Sequence, residues 1–247
     1  MNPVFTDTTV YRDTMPLAVR DYGGQGIPLL LLHGLGGTLD VWNHFAPLLT
    51  DHHRVVAMEL RGHGRSGGAE WDWQQACDDI DAVTIATTLD RPFVVGQSLG
   101  GMLAAMWAGQ GDRARGIVSL DGHRSAHTDS RHYLGMDADT LAVDRAALAE
   151  LFDAQSQAMA RPLPPEHLAA LPSRAITEID GHQYIRPSRK MAEQIRRSPR
   201  FIDSIPEFAA VTCPTLILAA SLNSAGMPSR FDALMTAYRA GLRRDLD

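Results

Sequence analysis

The stretch "FVVGQSLGGMLAAMW", residues 93–107, runs from an apolar segment through a glycine-bounded serine into a second apolar segment. Ser98 stands between Gly96 and Gly100 and fits G-x-S-x-G. A serine hydroxyl stays protonated at neutral pH. As a nucleophile it needs a base, usually a histidine, and a group that orients the base. The glycines have a steric purpose, because a strand turning sharply into a helix leaves no room for a side chain at either position. Such a turn brings the hydroxyl into the open at a helix N-terminus, where backbone amides favour negative charge. The competing interpretation is structural: Ser98 simply caps the helix.

Two more glycine-rich turns accompany it. "HGLGG", residues 33–37, follows an apolar run. A His-Gly turn there can aim the Leu35 amide at a substrate oxygen, beside the Leu99 amide. Two such donors would form an oxyanion hole, which contributes about 3 to 4 kcal/mol of transition-state stabilisation. The alternative is a loop that only reverses the chain. His33 is expected to prop this loop. "ELRGHGRSGG", residues 59–68, is a second tight turn, and His63 is expected to be a buried, hydrogen-bonded loop residue.

The elements that must carry these turns are legible as a rhythm. "IPLLLLHG", "HRVVAMEL", "RPFVVGQ", "ARGIVSLDG" and "CPTLILAA" are short apolar runs suited to buried parallel strands. Helical patterns lie between them: "DVWNHFAPLLT", "WQQACDDIDAVTIATTL" and "LGGMLAAMWAGQ". Strands alternating with helices imply a mostly parallel sheet covered on both faces, and "TTVYRD" with "LAVRDYG" adds an antiparallel hairpin at its edge. After Gly122 the alternation gives way to helical patterns with proline punctuation, and it returns at "VTCPTLILAA". Residues 1–121 and 206–247 are therefore expected to form the core, and residues 122–205 a helical cap over the strand ends. In open sheets of this kind, ligands bind beyond the carboxyl ends of the strands.

Composition bounds the partners. The chain has 247 residues, 45% hydrophobic and 21% charged, with a formal net charge of -6. A large core is possible, and no basic stripe marks a nucleic-acid surface. Cys77 and Cys213 lie far apart without zinc-like neighbours, so neither a disulfide framework nor a metal site is expected. The N-terminus lacks the pattern of a secretory signal, and no apolar stretch approaches membrane-spanning length. A cytoplasmic, soluble protein acting on a small molecule is expected, with no nucleic-acid or membrane partner.

"HGLGG", "ELRGHGRS", "GQSLGG" and "CPTLILAA", in this order and at these separations, resemble the α/β-hydrolase superfamily, and most nearly its capped esterase, enol-lactonase and C–C hydrolase group. The resemblance covers roughly residues 17–121 and 206–240. It implies the α/β-hydrolase fold, Ser98 as nucleophile, the Leu35 and Leu99 amides as oxyanion hole, and the order serine, acid, histidine along the chain. It implies no metal or cofactor. A serine at the elbow separates the chain from the dehalogenase and epoxide-hydrolase branches, which use aspartate there. Members usually carry Asp where Glu59 stands, a swap expected to be tolerated.

Two departures from the family pattern matter. The acid normally follows the strand matched by "CPTLIL" in a Gly-x-x-Asp pattern; here Ala220 and Asn223 hold those positions. Some members place the acid after the preceding strand, where Asp121 stands. Asp121 is therefore the candidate acid, with a turn cap at the cap entrance as its alternative. The family histidine follows one more strand, after a helix that matches "SRFDALMTAYRAGLRRDLD". It is expected beyond Asp247, and the chain is expected to be incomplete. For His123, His127, His132, His167 and His182, structural or solvated roles are expected.

The resulting expectation is a serine hydrolase that cleaves an ester, lactone or related carbonyl substrate through an acyl-enzyme on Ser98. The alternative is a non-hydrolytic protein of the same fold, such as a small-molecule receptor, a cyclase or a pseudoenzyme.

Overall fold

The computed structural model describes residues 5–158, 161–164, 171–222 and 227–246. Seven strands form one sheet in the order β1-β2-β4-β3-β5-β6-β9. β1 (Thr6–Arg12) and β2 (Met15–Gly23) make the antiparallel hairpin, and β2 pairs antiparallel with β4 (His53–Met58). From β4 onward the sheet is parallel, through β3 (Ile27–Leu32), β5 (Phe93–Gln97), β6 (Gly116–Leu120) and β9 (Thr215–Leu218). All five apolar runs of the sequence are strands of this sheet.

The central strands are apolar on both faces because both faces are covered. Leu30, Leu32, Val56 and Met58 pack with α1 (Trp73–Ala86) and α2 (Leu99–Ala108). Leu29, Leu31, Val55 and Ala57 pack with Leu39, Trp42 and Ala46 on the other face. Every residue of α2 is buried, so this helix lies in the middle of the core. α1 begins where Asp72 Oδ1 accepts the Gln75 amide at 2.8 Å, satisfying an end-of-helix donor. Among the described residues β9 has a neighbour on one side only, β6, and its Leu216 and Leu218 are about half exposed.

Two local expectations fail for identifiable reasons. "DVWNHFAPLLT" is not one helix but two 3-10 turns, Leu39–Trp42 and Ala46–Leu49. Pro47, the second residue of the second turn, lacks an N–H and cannot continue a helix from residue 43. The stretch between β6 and β9 is not purely helical either. It holds α3 (Ala138–Ala158) and α4 (Arg189–Arg197), but also an antiparallel hairpin, β7 (Ile176–Ile179) with β8 (His182–Ile185). Asp180 and Gly181, both at positive φ, form its two-residue turn. Asp-Gly between alternating residues is a hairpin signal that the proline punctuation around it obscured.

The last helix, α5 (Asp232–Leu246), packs away from the sheet. Its Leu234, Ala237 and Tyr238 share a buried cluster with Tyr133 and with Leu141 and Leu148 of α3. The sequence groups residues 206–247 with the sheet, whereas this helix is joined to the stretch between β6 and β9. Arg124 holds the junction polar as well as apolar, donating to Asp203 at 3.1 Å and to Asp245 at 2.7 Å.

A chain of charges, buried at Glu59, Arg174 and Arg20, ties the same stretch to the edge hairpin. Arg174 donates to Glu59 Oε1 and to Asp7 Oδ2, both at 2.8 Å. Arg20 donates to Asp7 Oδ1 and to Asp40 Oδ1, both at 2.6 Å. Glu59 is fully buried and also accepts the Arg65 amide at 2.7 Å. Removing one partner of such a pair strands a buried charge, which costs more than the pair itself contributes. Arg174→Met is expected to lower the unfolding free energy by about 3–5 kcal/mol, and Glu59→Gln in the same protein to recover part of it. Urea denaturation of the three proteins checks this; equal midpoints would contradict it.

Candidate active site

The turn from β5 into α2 occurs at a single residue. Ser98 has φ 49° and ψ -116°, a conformation that non-glycine residues adopt only when their surroundings force it. Its amide donates to Leu120 O at 2.8 Å, continuing the β5–β6 pairing by one residue. Its carbonyl accepts from the amides of Gly101 and Met102 at 2.9 and 3.1 Å, which starts the helix. A methyl group on Gly96 would collide with the Gly100 carbonyl, and one on Gly100 would collide with the Leu32 carbonyl. The two glycines of the motif thus let strand, turn and helix approach closely. Ser98 Oγ makes no capping hydrogen bond. The interpretation of Ser98 as a helix cap therefore fails, and the hydroxyl is left free among the described residues.

The loop after β3 comes up to this turn. A Cβ on Gly34 would lie 3.2 Å from Ser98 Cβ. His33 shapes the loop from inside. Its Nδ1–H donates to Gly34 O at 2.8 Å, and its Nε2 accepts the Leu60 amide at 3.0 Å. It is fully buried, and burial pushes its pKa down, so the ring is a neutral brace. His63 packs 5.1 Å away, ring centre to ring centre, and its Nδ1–H donates to Arg61 O at 3.0 Å. Its Nε2 is buried without a partner among the described residues. Neither histidine hydrogen-bonds Ser98. Among the described residues, the amides of Leu35 and Leu99 donate to no protein acceptor. Leu99 opens α2, where a helix leaves its first N–H groups unpaired.

Asp121 stands one residue beyond Leu120, the residue that binds the Ser98 amide. Its φ is 54°, and its own amide donates to Leu218 O at 2.7 Å. Oδ1 accepts the Ala220 amide at 3.0 Å and His123 Nε2–H at 3.1 Å. The His123 hydrogen bond, then the Ala220 amide, hold its carboxyl below the usual carboxylate range against the opposing effect of burial. Oδ2 has no hydrogen-bond partner among the described residues. Asp121, His123, Ala220, Leu222, Met227 and Tyr238 line a cavity of about 140 Å³. Behind the pair, Tyr238 donates to Arg124 O at 2.5 Å and lies 3.4 Å from His123 Nδ1. Asn223 and His167 lie outside the described residues.

The structure thus gathers Ser98, Leu99, the Gly34–Leu35 loop and Asp121 around the carboxyl ends of β3, β5 and β6. It brings no histidine into hydrogen-bonding distance of Ser98 Oγ among the described residues. His132 is engaged elsewhere, at 2.8 Å from Asp245. The support of Asp121 by His123 and Tyr238 was not read from the sequence. "LDGH" places the histidine two residues from the acid, and that spacing was its one available signal.

A family model described as the alpha/beta hydrolase fold matches residues 27–224. The chain belongs to the alpha/beta hydrolase fold family. It is 32% identical, over 103 residues, to the dihydrolipoyllysine-residue acetyltransferase component of the acetoin cleaving system of Pseudomonas putida. That match covers 40% of this chain and 28% of the relative, so the chain spans about a quarter of the length of the curated relatives it matches. Among solved structures it is similar to E-2-(acetamidomethylene)succinate hydrolase, with a TM-score of 0.65 and 22% identity over 96% of this chain and 87% of that one. It is also similar to Est816, an N-acyl homoserine lactone degrading enzyme, with a TM-score of 0.59 and 21% identity over 93% of this chain and 88% of that one. At these identities the two likenesses establish the fold. No helix among the described residues is long and apolar enough to cross a membrane.

The histidine brace has a pH signature. Burial pushes His63 from 6.5 down to about 3, so it stays neutral when folded and gains its proton on unfolding. Stability from this group is complete above about 6.5 and is lost as pH falls towards about 3, because the unfolded chain then binds more protons. His33, also lowered by burial, acts in the same direction. His63→Leu is expected to flatten the pH dependence of the urea midpoint between pH 6.5 and about 4.5. Parallel curves for the two proteins would show that His63 is not held neutral.

Proposed function

We propose that this protein is a serine hydrolase that attacks the carbonyl of a small ester, lactone, thioester or activated ketone through Ser98. The observation that carries the proposal is the strained turn at Ser98: its hydroxyl is uncapped, and the amides of Leu99, the next residue, and of Leu35, in the loop that comes up to the turn, are bound to no described acceptor. Strain of this kind persists where the surroundings over-determine it, and it concentrates at functional sites.

In this mechanism Ser98 Oγ adds to the carbonyl carbon as a base removes its proton. The carbonyl oxygen takes the negative charge and receives the Leu35 and Leu99 N–H groups. The positive end of α2 adds to the same stabilisation. Collapse of the tetrahedral species expels the alcohol or thiol, or from an activated ketone the stabilised carbanion, which takes the proton back, and leaves an acyl group on Ser98. Water then adds to the acyl carbon and frees the acid. Asp121 is the proposed orienting acid: its Oδ1 is fixed by His123 and Ala220, leaving Oδ2 to accept from the imidazole of the base. In this scheme the segment between β6 and β9 acts as the cap, and no metal or cofactor takes part. Proteins of this fold named for lactone degradation and for hydrolysis of an acetamidomethylene succinate make lactones and related carbonyl compounds the first substrates to assay.

One observation favours a second reading, a non-hydrolytic binding protein on the same fold: no described histidine reaches Ser98 Oγ. A fluorophosphonate probe separates the two on the full-length protein. The hydrolase reading expects one adduct, on Ser98 by peptide mass, and p-nitrophenyl ester turnover that Ser98→Ala removes. An unlabelled Ser98 without turnover supports the binding protein. Asp121→Asn is expected to lower kcat by roughly 10⁴-fold, as loss of the orienting acid does in a comparable triad. Undiminished turnover in that variant removes Asp121 from the mechanism.

A further inference from the structure

A second cavity, of about 590 Å³, lies where the loop after β4 meets the hairpin and α4. Its volume is in the range of small-molecule sites. Gly62 belongs to its wall, and neither Ser98, Leu35, Leu99 nor Asp121 is among its described lining residues. Ile179, Tyr184 and Met191 supply apolar surface, and Arg186, Arg189 and Lys190 supply positive charge. No Asp or Glu is among the described residues that line it.

The three cations are not equivalent. Arg189 and Lys190 are exposed, and each already faces a carboxylate, Glu193 at 2.6 Å and Glu70 at 2.5 Å. Arg186 is partly buried and donates to two carbonyls, Gly64 O at 2.6 Å and Ser66 O at 2.8 Å. Those bonds fix the guanidinium but leave its charge unbalanced, and no carboxylate pairs with it among the described residues. Burial works against the charged form of Arg186 and the field of Glu59 favours it, but the oxygens of Glu59 are taken by Arg174 and by the Arg65 amide. A guanidinium has five N–H donors in a rigid fork, and Arg186 uses two of them here. Among the described residues Arg186 thus has no carboxylate of its own, and it stands next to an apolar wall.

We propose that this cavity binds an amphipathic monocarboxylate, its head on the free N–H groups of Arg186 and its chain against Ile179, Tyr184 and Met191. A single unbalanced charge suits a monoanion, and the planar guanidinium matches a planar carboxylate in two parallel hydrogen bonds. A ligand seated there touches both the loop after β4 and the hairpin, so it would hold the two together.

Calorimetric titration with octanoate tests this. The Ser98→Ala protein is used, so turnover plays no part and the result is independent of the hydrolase reading. Saturable binding at one site is expected, with acetate and octyl glucoside at least tenfold weaker, because one lacks the chain and the other the charge. Arg186→Gln is expected to weaken octanoate about tenfold or more, the size of a lost charged hydrogen bond. Because Arg186 also anchors two carbonyls, Ile179→Glu serves as a second variant. It lies at an exposed hairpin position and sets a negative charge beside the chain, and it too is expected to weaken octanoate about tenfold. Circular dichroism confirms that each variant is folded. Absence of saturable binding, octyl glucoside binding as tightly as octanoate, or unchanged affinity in folded Arg186→Gln and Ile179→Glu would each overturn the proposal.

Discussion

The chain must pass from a buried strand into a buried helix at one residue, and much of the site depends on how it does so. At Ser98 the backbone takes a positive φ that serine disfavours, and the neighbours on every side enforce it. Leu120 O binds its amide, Gly101 and Met102 bind its carbonyl, and Gly96, Gly100 and Gly122 lie too close to carry side chains. The cost of the strained dihedral is met by the pairing of β5 with β6 and by the burial of all of α2. The same bond that holds Ser98 to Leu120 sets Asp121 beside it. The hydroxyl and the carboxylate therefore share one backbone constraint.

A second layer of constraint is electrostatic. Glu59, Arg174, Asp7, Arg20 and Asp40 form one chain of ion pairs from the loop after β4, through the stretch between β6 and β9 and the edge hairpin, to the 3-10 turn Leu39–Trp42. Arg174 and Glu59 are both almost fully buried, so their pairing fixes position more than it adds net stability. It also gives Glu59 a structural meaning. The side chain reaches at once the Arg65 amide in its own loop and an arginine from a distant segment. His33 and His63 brace the adjoining turns as neutral rings, and Arg186, the residue after β8, ties the loop to the hairpin without a carboxylate partner of its own among the described residues.

The sheet was readable because parallel strands covered on both faces are apolar at nearly every position, and "IPLLLL" or "FVVGQ" has few other uses. The Ser98 turn was readable because only glycine fits the close approaches on either side of it. The failures have equally local causes. Pro47 divides an apolar stretch that otherwise has helical spacing. The Asp180-Gly181 hairpin is a four-residue pairing whose short alternation was masked by prolines. The placing of α5 against Tyr133, Leu141 and Leu148 was not readable, because an amphipathic helix shows that it has an apolar face and not which surface covers it.

The sequence by itself determined the fold family, the alternation of strands and helices, and Ser98 with the loops that approach it, since these rest on hydrophobic periodicity and on glycine sterics that act within a few residues. Only the tertiary structure decided that the Ser98 hydroxyl is uncapped and that Asp121 is fixed by His123 and Ala220. The same holds for the pairing of Glu59 with Arg174 across 115 positions and for the unbalanced charge of Arg186. Each of these is a matter of which charges and donors meet in space, and hydrogen bonds and ion pairs between distant segments leave no periodic trace along the chain.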